Sequence, residues 1–188
     1  MASEKVHDHH HDHGGHGRRE FRFCPRCGGI LSMQKIKWNE PERLVCSQCS
    51  FIFYLDPKVV AGTIFTIENR VVLLRRGVEP GLGLWVFPGG YVDRGESVAD
   101  AAIRETKEES NVDVVLRSLL NVYSYAGTTS IVLVYAAEVV RGELQACDES
   151  TEARTFAPSE IPWEELAFPS TQQALRDYLK LYLQGEME

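Results

Sequence analysis

Histidine is missing from almost all of this 188-residue chain, because all six histidines fall within the first 16 residues, in HDHHHDHGGHG. The rest of the chain therefore excludes Ser-His-Asp and Cys-His nucleophilic catalysis, and leaves carboxylates, lysine, tyrosine and water as bases. Also missing is any apolar run approaching the roughly 18 residues of a membrane span. The amino terminus lacks the apolar stretch of a signal peptide. No membrane association is expected, and the expected location is cytoplasmic. Positive charge is in deficit. The net charge of −7 argues against nucleic-acid binding over the whole surface, so nucleic acid is not an expected partner. There is no internal repeat, and 44% hydrophobic residues suffice for one sizeable core and a small appendage.

The chain divides by composition. Residues 1–20, polar and glycine-containing, cannot build a core and are read as a disordered tail. It is either a tag or a metal-scavenging segment, and no role in turnover is assigned to it. Cysteine is scarce, and four of the five residues form two pairs, Cys24-x2-Cys27 and Cys46-x2-Cys49, which enclose 18 residues. That spacing is a four-thiolate zinc pattern, and FCPRCGG and VCSQCS supply small residues that let backbone N–H groups reach the sulfurs. Two disulfides are the competing reading, disfavoured because nothing indicates export. Residues 21–54 are thus read as a zinc ribbon, with Cys147 left as an ordinary thiol. From residue 18 to 50 there are seven cations and three anions, a net +4 against −11 for the remainder. Such a ribbon suits either a nucleic-acid surface or a cap that docks on the acidic body or helps form a dimer. The lack of an RNA-binding signature favours the cap.

Residues 55–188 are read as one α/β (α+β) body. VVAGTIFTI is a predicted buried strand with RVVLLRR as its hairpin partner across Glu68-Asn69. A loop and short strand follow in GVEPGLGLWVFPGG, and VVLRSLLNVYSYA and TSIVLVYAAEVV are long strands rich in β-branched and aromatic residues. Residues 170–184 form a closing amphipathic helix. The order predicts a mixed sheet sandwiched between helices.

The most informative stretch is GYVDRGESVADAAIRETKEESNV, residues 90–112. Ser97 and Asp100 form a capping box, and Ala99, Ala102, Ile103 and Thr106 recur at helical spacing as a predicted buried stripe. Glu105, Glu108 and Glu109 converge on another face. As plain surface these acids repel, by a few tenths of a kcal/mol per pair, whereas Mg²⁺ or Mn²⁺ would reverse that sign. The alternative is a solvated acidic face salt-bridged to Arg104. Gly90 and Glu96 in register with Arg104 favour the catalytic reading, and the string closely resembles the Nudix box, the signature of hydrolases of nucleoside diphosphates linked to another moiety. It departs from the pattern at Thr106, where a bulky aliphatic is usual and packing is expected to loosen, and at Asn111, where glycine is usual. Asn is the best non-glycine residue for a left-handed helix end.

CPRCGG, YLDPKVVAG, GLWVFPGGYVDRGES and ESTEARTFAPSEIPWEELAFPS extend the resemblance to a Nudix subfamily with an amino-terminal zinc ribbon, which includes hydrolases of FAD and ADP-ribose. The resemblance implies a Nudix fold, a nucleotide small-molecule substrate and attack of water, activated by Mg²⁺ or Mn²⁺, on a pyrophosphate phosphorus to release AMP. It makes Glu105, Glu108, Glu109 and the Gly90 carbonyl the metal ligands. Arg104 would orient the glutamates and Glu96 would lock the loop to the helix. Outside the box Glu152, ahead of Glu149, is the candidate base or extra ligand. Phe65, Trp85, Phe87, Tyr91, Tyr123 and Tyr125 are candidate walls for adenine, and Arg75 and Arg76 candidate phosphate contacts. NADH is disfavoured because the proline- and tryptophan-containing motif of NADH pyrophosphatases is missing after Glu109. Oxidised nucleoside triphosphates, and a non-catalytic sensor with a nucleic-acid-binding ribbon, are the alternatives. A homodimer is expected because family members are often dimers.

Overall fold

The computed structural model describes residues 21–183, so the histidine-rich tract and the expected disordered tail lie outside the described residues. The chain separates into two compact units, Met1–Leu55 and Asp56–Glu188. In the first, β1 (Leu31–Gln34), β2 (Arg43–Cys46) and β3 (Ile52–Phe53) form an antiparallel sheet in that order. Its core is little more than Cys24, Leu31 and Cys46 with Leu44, Phe51 and Phe53 against them. So small an apolar cluster cannot offset the entropy of ordering the segment, and a further staple is required.

The second unit contains β4 (Lys58–Ile64), β5 (Thr66–Ile67), β6 (Arg70–Arg76), β7 (Trp85–Val86), β8 (Gly89–Tyr91), α1 (Val98–Ser110), β9 (Asp113–Ser124), β10 (Ser130–Arg141), β11 (Ser150–Phe156) and α2 (Pro169–Tyr178). Turns of 3₁₀ helix at Pro158–Glu160 and Trp163–Glu165 precede α2, and a π-helical turn at Leu179–Leu183 ends it, so the closing helix is shorter and less regular than its apolar pattern suggests. None of the described helices is long and apolar enough to cross a membrane.

The single mixed sheet expected from the sequence is divided in two. One sheet runs β8-β4-β10-β9, with β4 and β10 parallel and the other neighbours antiparallel. The other runs β11-β6-β5 with β7 also on β6, all antiparallel. The division falls inside VVAGTIFTI, whose apolar run reads as one strand. Phe65 breaks the ladder, and the chain passes from the first sheet to the second. Ile64 and Phe65 are both buried, in different clusters: Ile64 with Trp85, Phe87, Val134 and Leu175, Phe65 with Val72, Val112 and Val114. Helix α1 lies against β4, β8 and β9, and α2 against β9.

The β5–β6 hairpin closes through Glu68 (φ 52°) and Asn69 (φ 59°), two residues in the left-handed region where a two-residue turn of this hand prefers Asn-Gly. Glu68 has no short side-chain route to offset that strain. Replacing the pair as Glu68→Asn/Asn69→Gly is expected to raise unfolding free energy by about 1 kcal/mol, read as a shifted urea midpoint at unchanged slope.

Candidate active site

In the ribbon unit the Cys24–Cys49, Cys27–Cys46 and Cys27–Cys49 sulfurs stand 3.8, 3.5 and 3.3 Å apart, and all four lie within 4.8 Å of one another. Four thiolates at 2.3 Å from one tetrahedral zinc would be about 3.8 Å apart, whereas a disulfide needs about 2.05 Å. Backbone N–H groups of Arg26 and Gln48 donate to Cys24 and Cys46 Sγ at 3.4 Å. The Cys49 backbone amide pulls the Cys46 thiol down to about 6 against the opposing effect of burial, helped by that of Gln48. The donor set and spacing therefore fit zinc.

In the second unit the acids are carried by α1. Ser97 caps it, its Oγ accepting from the Asp100 backbone N–H at 3.1 Å. Asn111 ends it in the left-handed conformation, at φ 60°, with its Nδ2 donating to the Glu143 carbonyl. The buried face is Ala101, Ala102, Thr106 and Ser110, not the stripe expected from spacing: Ile103 is 37% exposed and Ala99 only half-buried. The helix turns its small residues inward because Ala101 and Ala102 meet Ala61 of β4. Thr106 does not loosen the packing. Its Oγ1 lies 2.6 Å from that of buried Thr63 and donates to the Ala102 carbonyl at 2.6 Å.

This rotation brings α1 onto β8. A Cβ at Gly90 would collide with the Glu105 carboxylate, and one at Gly89 with the Gly62 backbone at 2.6 Å. Gly89 N–H donates to Glu109 Oε2 at 2.9 Å. Arg104 has its five N–H donors matched to five acceptors. Nε and Nη2 take Glu96 at 2.8 and 2.9 Å, Nη1 takes Glu105 at 2.8 Å and Glu108 at 3.0 Å, and Nη2 also takes the Tyr91 carbonyl at 3.1 Å. The arginine hydrogen bond is the main cause that holds the Glu96 carboxyl down to about 2. Burial pushes Glu109 up to about 7; the Gly89 hydrogen bond opposes this, and the Glu105 charge adds to it. Burial raises Glu105 as well, against the pull of Arg104. A half-buried carboxylate that takes a backbone N–H and, among the described residues, no cationic hydrogen-bond partner, beside a second carboxylate and a partly accessible strand of glycine backbone, is a donor set that fits a hard divalent cation.

Other residues singled out in the sequence are placed differently. Trp85 and Phe87 are buried in the main core, with Trp85 edge-on to Phe156, so neither forms an open wall for a base. Phe65 and Tyr123 are also buried, the Tyr123 hydroxyl bonded to Asp177. Arg75 stacks over Trp85 at 4.9 Å and faces Glu152 and Glu165. Glu152, on β11 opposite Arg75, is shared with Arg154. The acid outside the helix whose charge acts on Glu109 is Glu149, and the arginine that acts on it is Arg76. Strand alternation is the signal that separates Arg76 from Arg75, since neighbours on a strand face opposite ways. Tyr91 is 59% exposed and borders a groove of about 620 Å³ with Lys58, Val59, Asp93, Arg94 and Val98.

A helix of acids against a glycine strand, on a divided mixed sheet, defines a Nudix-fold hydrolase. Residues 56–179 match the family model for the NUDIX domain, and residues 22–55 the zinc-ribbon model described as Nudix N-terminal. The chain belongs to the Nudix family. It is similar to an ADP-ribose pyrophosphatase of Methanocaldococcus jannaschii, 35% identical over 131 residues that cover 68% of this chain and 76% of that one. It is 29% identical to the NAD-capped RNA hydrolase NudC of Pseudomonas aeruginosa over 88% of this chain and 56% of that one, and so spans about half the length of that relative. A Nudix hydrolase structure from Nitrosomonas europaea superposes with a TM-score of 0.82 at 33% identity, covering 87% of this chain and 93% of that one.

Two outcomes are expected here. Elemental analysis should find about one zinc per chain bound by the ribbon, and Cys24→Ser should lower the melting temperature, because metal binding supplies folding energy where the core cannot. Glu96 has a folded pKa below its unfolded value, so its contribution is complete above the ordinary value of 4.5 and is lost as pH falls toward about 2. Glu96→Gln should therefore flatten the acid limb of the stability–pH curve between those values.

Proposed function

We propose that this chain hydrolyses the pyrophosphate bond of ADP-ribose, giving AMP and ribose 5-phosphate. The observation that carries the reading is the half-buried Glu109 carboxylate, held by Gly89 N–H and flanked by Glu105, which presses on the strand at Gly90, where no side chain would fit. Glu105 and Glu109, with Glu108 and the Gly90 carbonyl, would hold Mg²⁺ or Mn²⁺. Such ions, when bound, neutralise phosphate oxygens and acidify water. Arg104 contributes by position. Saturated by five acceptors, it ties the loop at Glu96 to the glutamates and does not need to touch substrate. Glu149 is better placed than Glu152 to accept the proton of the attacking water, because its charge reaches Glu109 while Glu152 is engaged by Arg75 and Arg154.

For the nucleotide half, the exposed Tyr91 ring at the edge of the groove offers a stacking face, and Lys58 and Arg94 offer charge to phosphates. The 35% identity to an ADP-ribose pyrophosphatase supports ADP-ribose ahead of FAD, which shares the same adenylate half. A second reading, an NAD-type dinucleotide alone or at an RNA end, is favoured by the match to NudC, which runs over 169 residues.

The test is a substrate panel with product identification: ADP-ribose, FAD, NADH, NAD-capped RNA and an oxidised nucleoside triphosphate, each with Mg²⁺ and Mn²⁺. AMP from ADP-ribose at the highest kcat/KM is the expected result, and Glu109→Gln should lose at least about a hundredfold, since even outer-shell changes cost 10–100-fold. Turnover of none of these would overturn the reading.

A further inference from the structure

We propose that Thr63 and Thr106 are positioning residues: their buried hydroxyl pair fixes the rotation of α1 and thereby sets the affinity of the carboxylate site for its divalent cation. The inference rests on the reading above, that Glu105 and Glu109 hold such a cation. Both threonines are fully buried, and their Oγ1 atoms are 2.6 Å apart. Thr106 follows Glu105 directly and precedes Glu109 by three positions, so it lies within one turn of both acids. Thr63 holds the other side. Its backbone N–H donates to the Pro88 carbonyl at 3.0 Å, next to Gly89, whose N–H meets Glu109. A closed circuit results, running from Thr63 through Pro88 and Gly89 to Glu109, back along α1 to Thr106, and across the hydroxyl pair to Thr63.

Other contacts also hold α1: Ala101 and Ala102 pack on Ala61 with Val92, Val98, Leu116 and Tyr135 beside them, and Arg104 reaches the Tyr91 carbonyl of β8. The first is non-directional, and the second runs through a side chain also bonded to Glu105 and Glu108. Carboxylates on a helix stand about 6 Å from its axis, so a rotation of about 10° moves them by about 1 Å, while metal–ligand distances tolerate only about 0.2 Å. The Gly89–Glu109 bond cannot be the reference, because it uses the same carboxylate that a cation would draw on. The hydroxyl pair is directional, dry and independent of the acids. Ser110 Oγ donates to the Thr106 carbonyl at 2.5 Å, which stiffens the same turn. The Nudix pattern carries an aliphatic residue where Thr106 stands, so the device belongs to this chain and to its partner Thr63.

The test measures Mn²⁺ binding by the paramagnetic resonance of free Mn²⁺, on the full zinc-loaded chain, together with melting temperature. Loss of the bound ion in Glu109→Gln identifies the site. Thr106→Val, which keeps the shape and removes the hydroxyl, should weaken Mn²⁺ binding about tenfold, and Thr106→Ser should stay within about twofold of wild type. The double variant Thr63→Val/Thr106→Val leaves no orphaned hydroxyl. It should regain the melting temperature while still binding Mn²⁺ weakly, and it decides the matter alone if Thr106→Val does not fold. Binding within about twofold of wild type in the valine variants, or binding that recovers together with melting temperature in the double variant, would show a packing role only and overturn the proposal. A wild-type chain that binds no Mn²⁺ would overturn the function proposed above as well.

Discussion

No side chain fits at Gly89 and Gly90, where β8 runs beside β4 beneath α1, and the rest of the site depends on that restriction. A Cβ at Gly62 would meet Phe87 and the Pro88 carbonyl, one at Gly89 the β4 backbone, and one at Gly90 the Glu105 carboxylate. The restriction lets a helix bearing three glutamates press on a strand that offers only backbone. The glutamates then lose water without gaining a side-chain donor on that side, which is why burial dominates both Glu105 and Glu109. Alanines on the inner face of α1 serve the same close approach from the other direction.

Charge is distributed around this contact in two ways. Arg104 and Glu96 form a partly exposed pair that joins helix to loop through two parallel hydrogen bonds, the fork geometry in which arginine differs most from lysine. Glu109, deeper and without a guanidinium, is left with a backbone amide. Arg104 therefore holds Glu96 ionised, whereas burial raises the pKa of Glu109, thirteen residues further along the chain. Environments that push two carboxylates apart in this way mark acids with different work to do.

Spacing carried the local chemistry. The cysteine pairs, the cap at Ser97 and the left-handed Asn111 are each set by residues within a few positions of one another, and the structure has them as local physics requires. What spacing could not show was which side of a pattern faces inward when two answers are nearly equal. Ile103 is the most apolar residue of its helix, yet it lies outward because packing against Ala61 selects small residues. Trp85 and Phe87 look like pocket walls in a glycine-rich loop and are core, because the short strand beginning at Trp85 joins the second sheet. The strand change at Phe65 is hidden for a similar reason: an apolar run buried on both faces has no alternation to interrupt. Strand β11 is not legible in the sequence because STEARTF lacks the apolar density of a strand and depends on β6 for its pairing. Thr63 left one faint mark, a second hydroxyl in an apolar run that could answer Thr106.

The parallel pairing of β4 with β10 joins residues 58–64 to residues 130–136, and α1 lies in the chain between them. During synthesis the acidic helix is therefore complete before the strand that closes its sheet has been made. Parallel pairs close only after a long loop has been ordered, so they form late, and in the interval the glutamates face solvent on a nascent, unconstrained segment. Like charges at helical spacing repel, so the same glutamates that are costly in the finished site disfavour association of that segment with another copy before β10 is made.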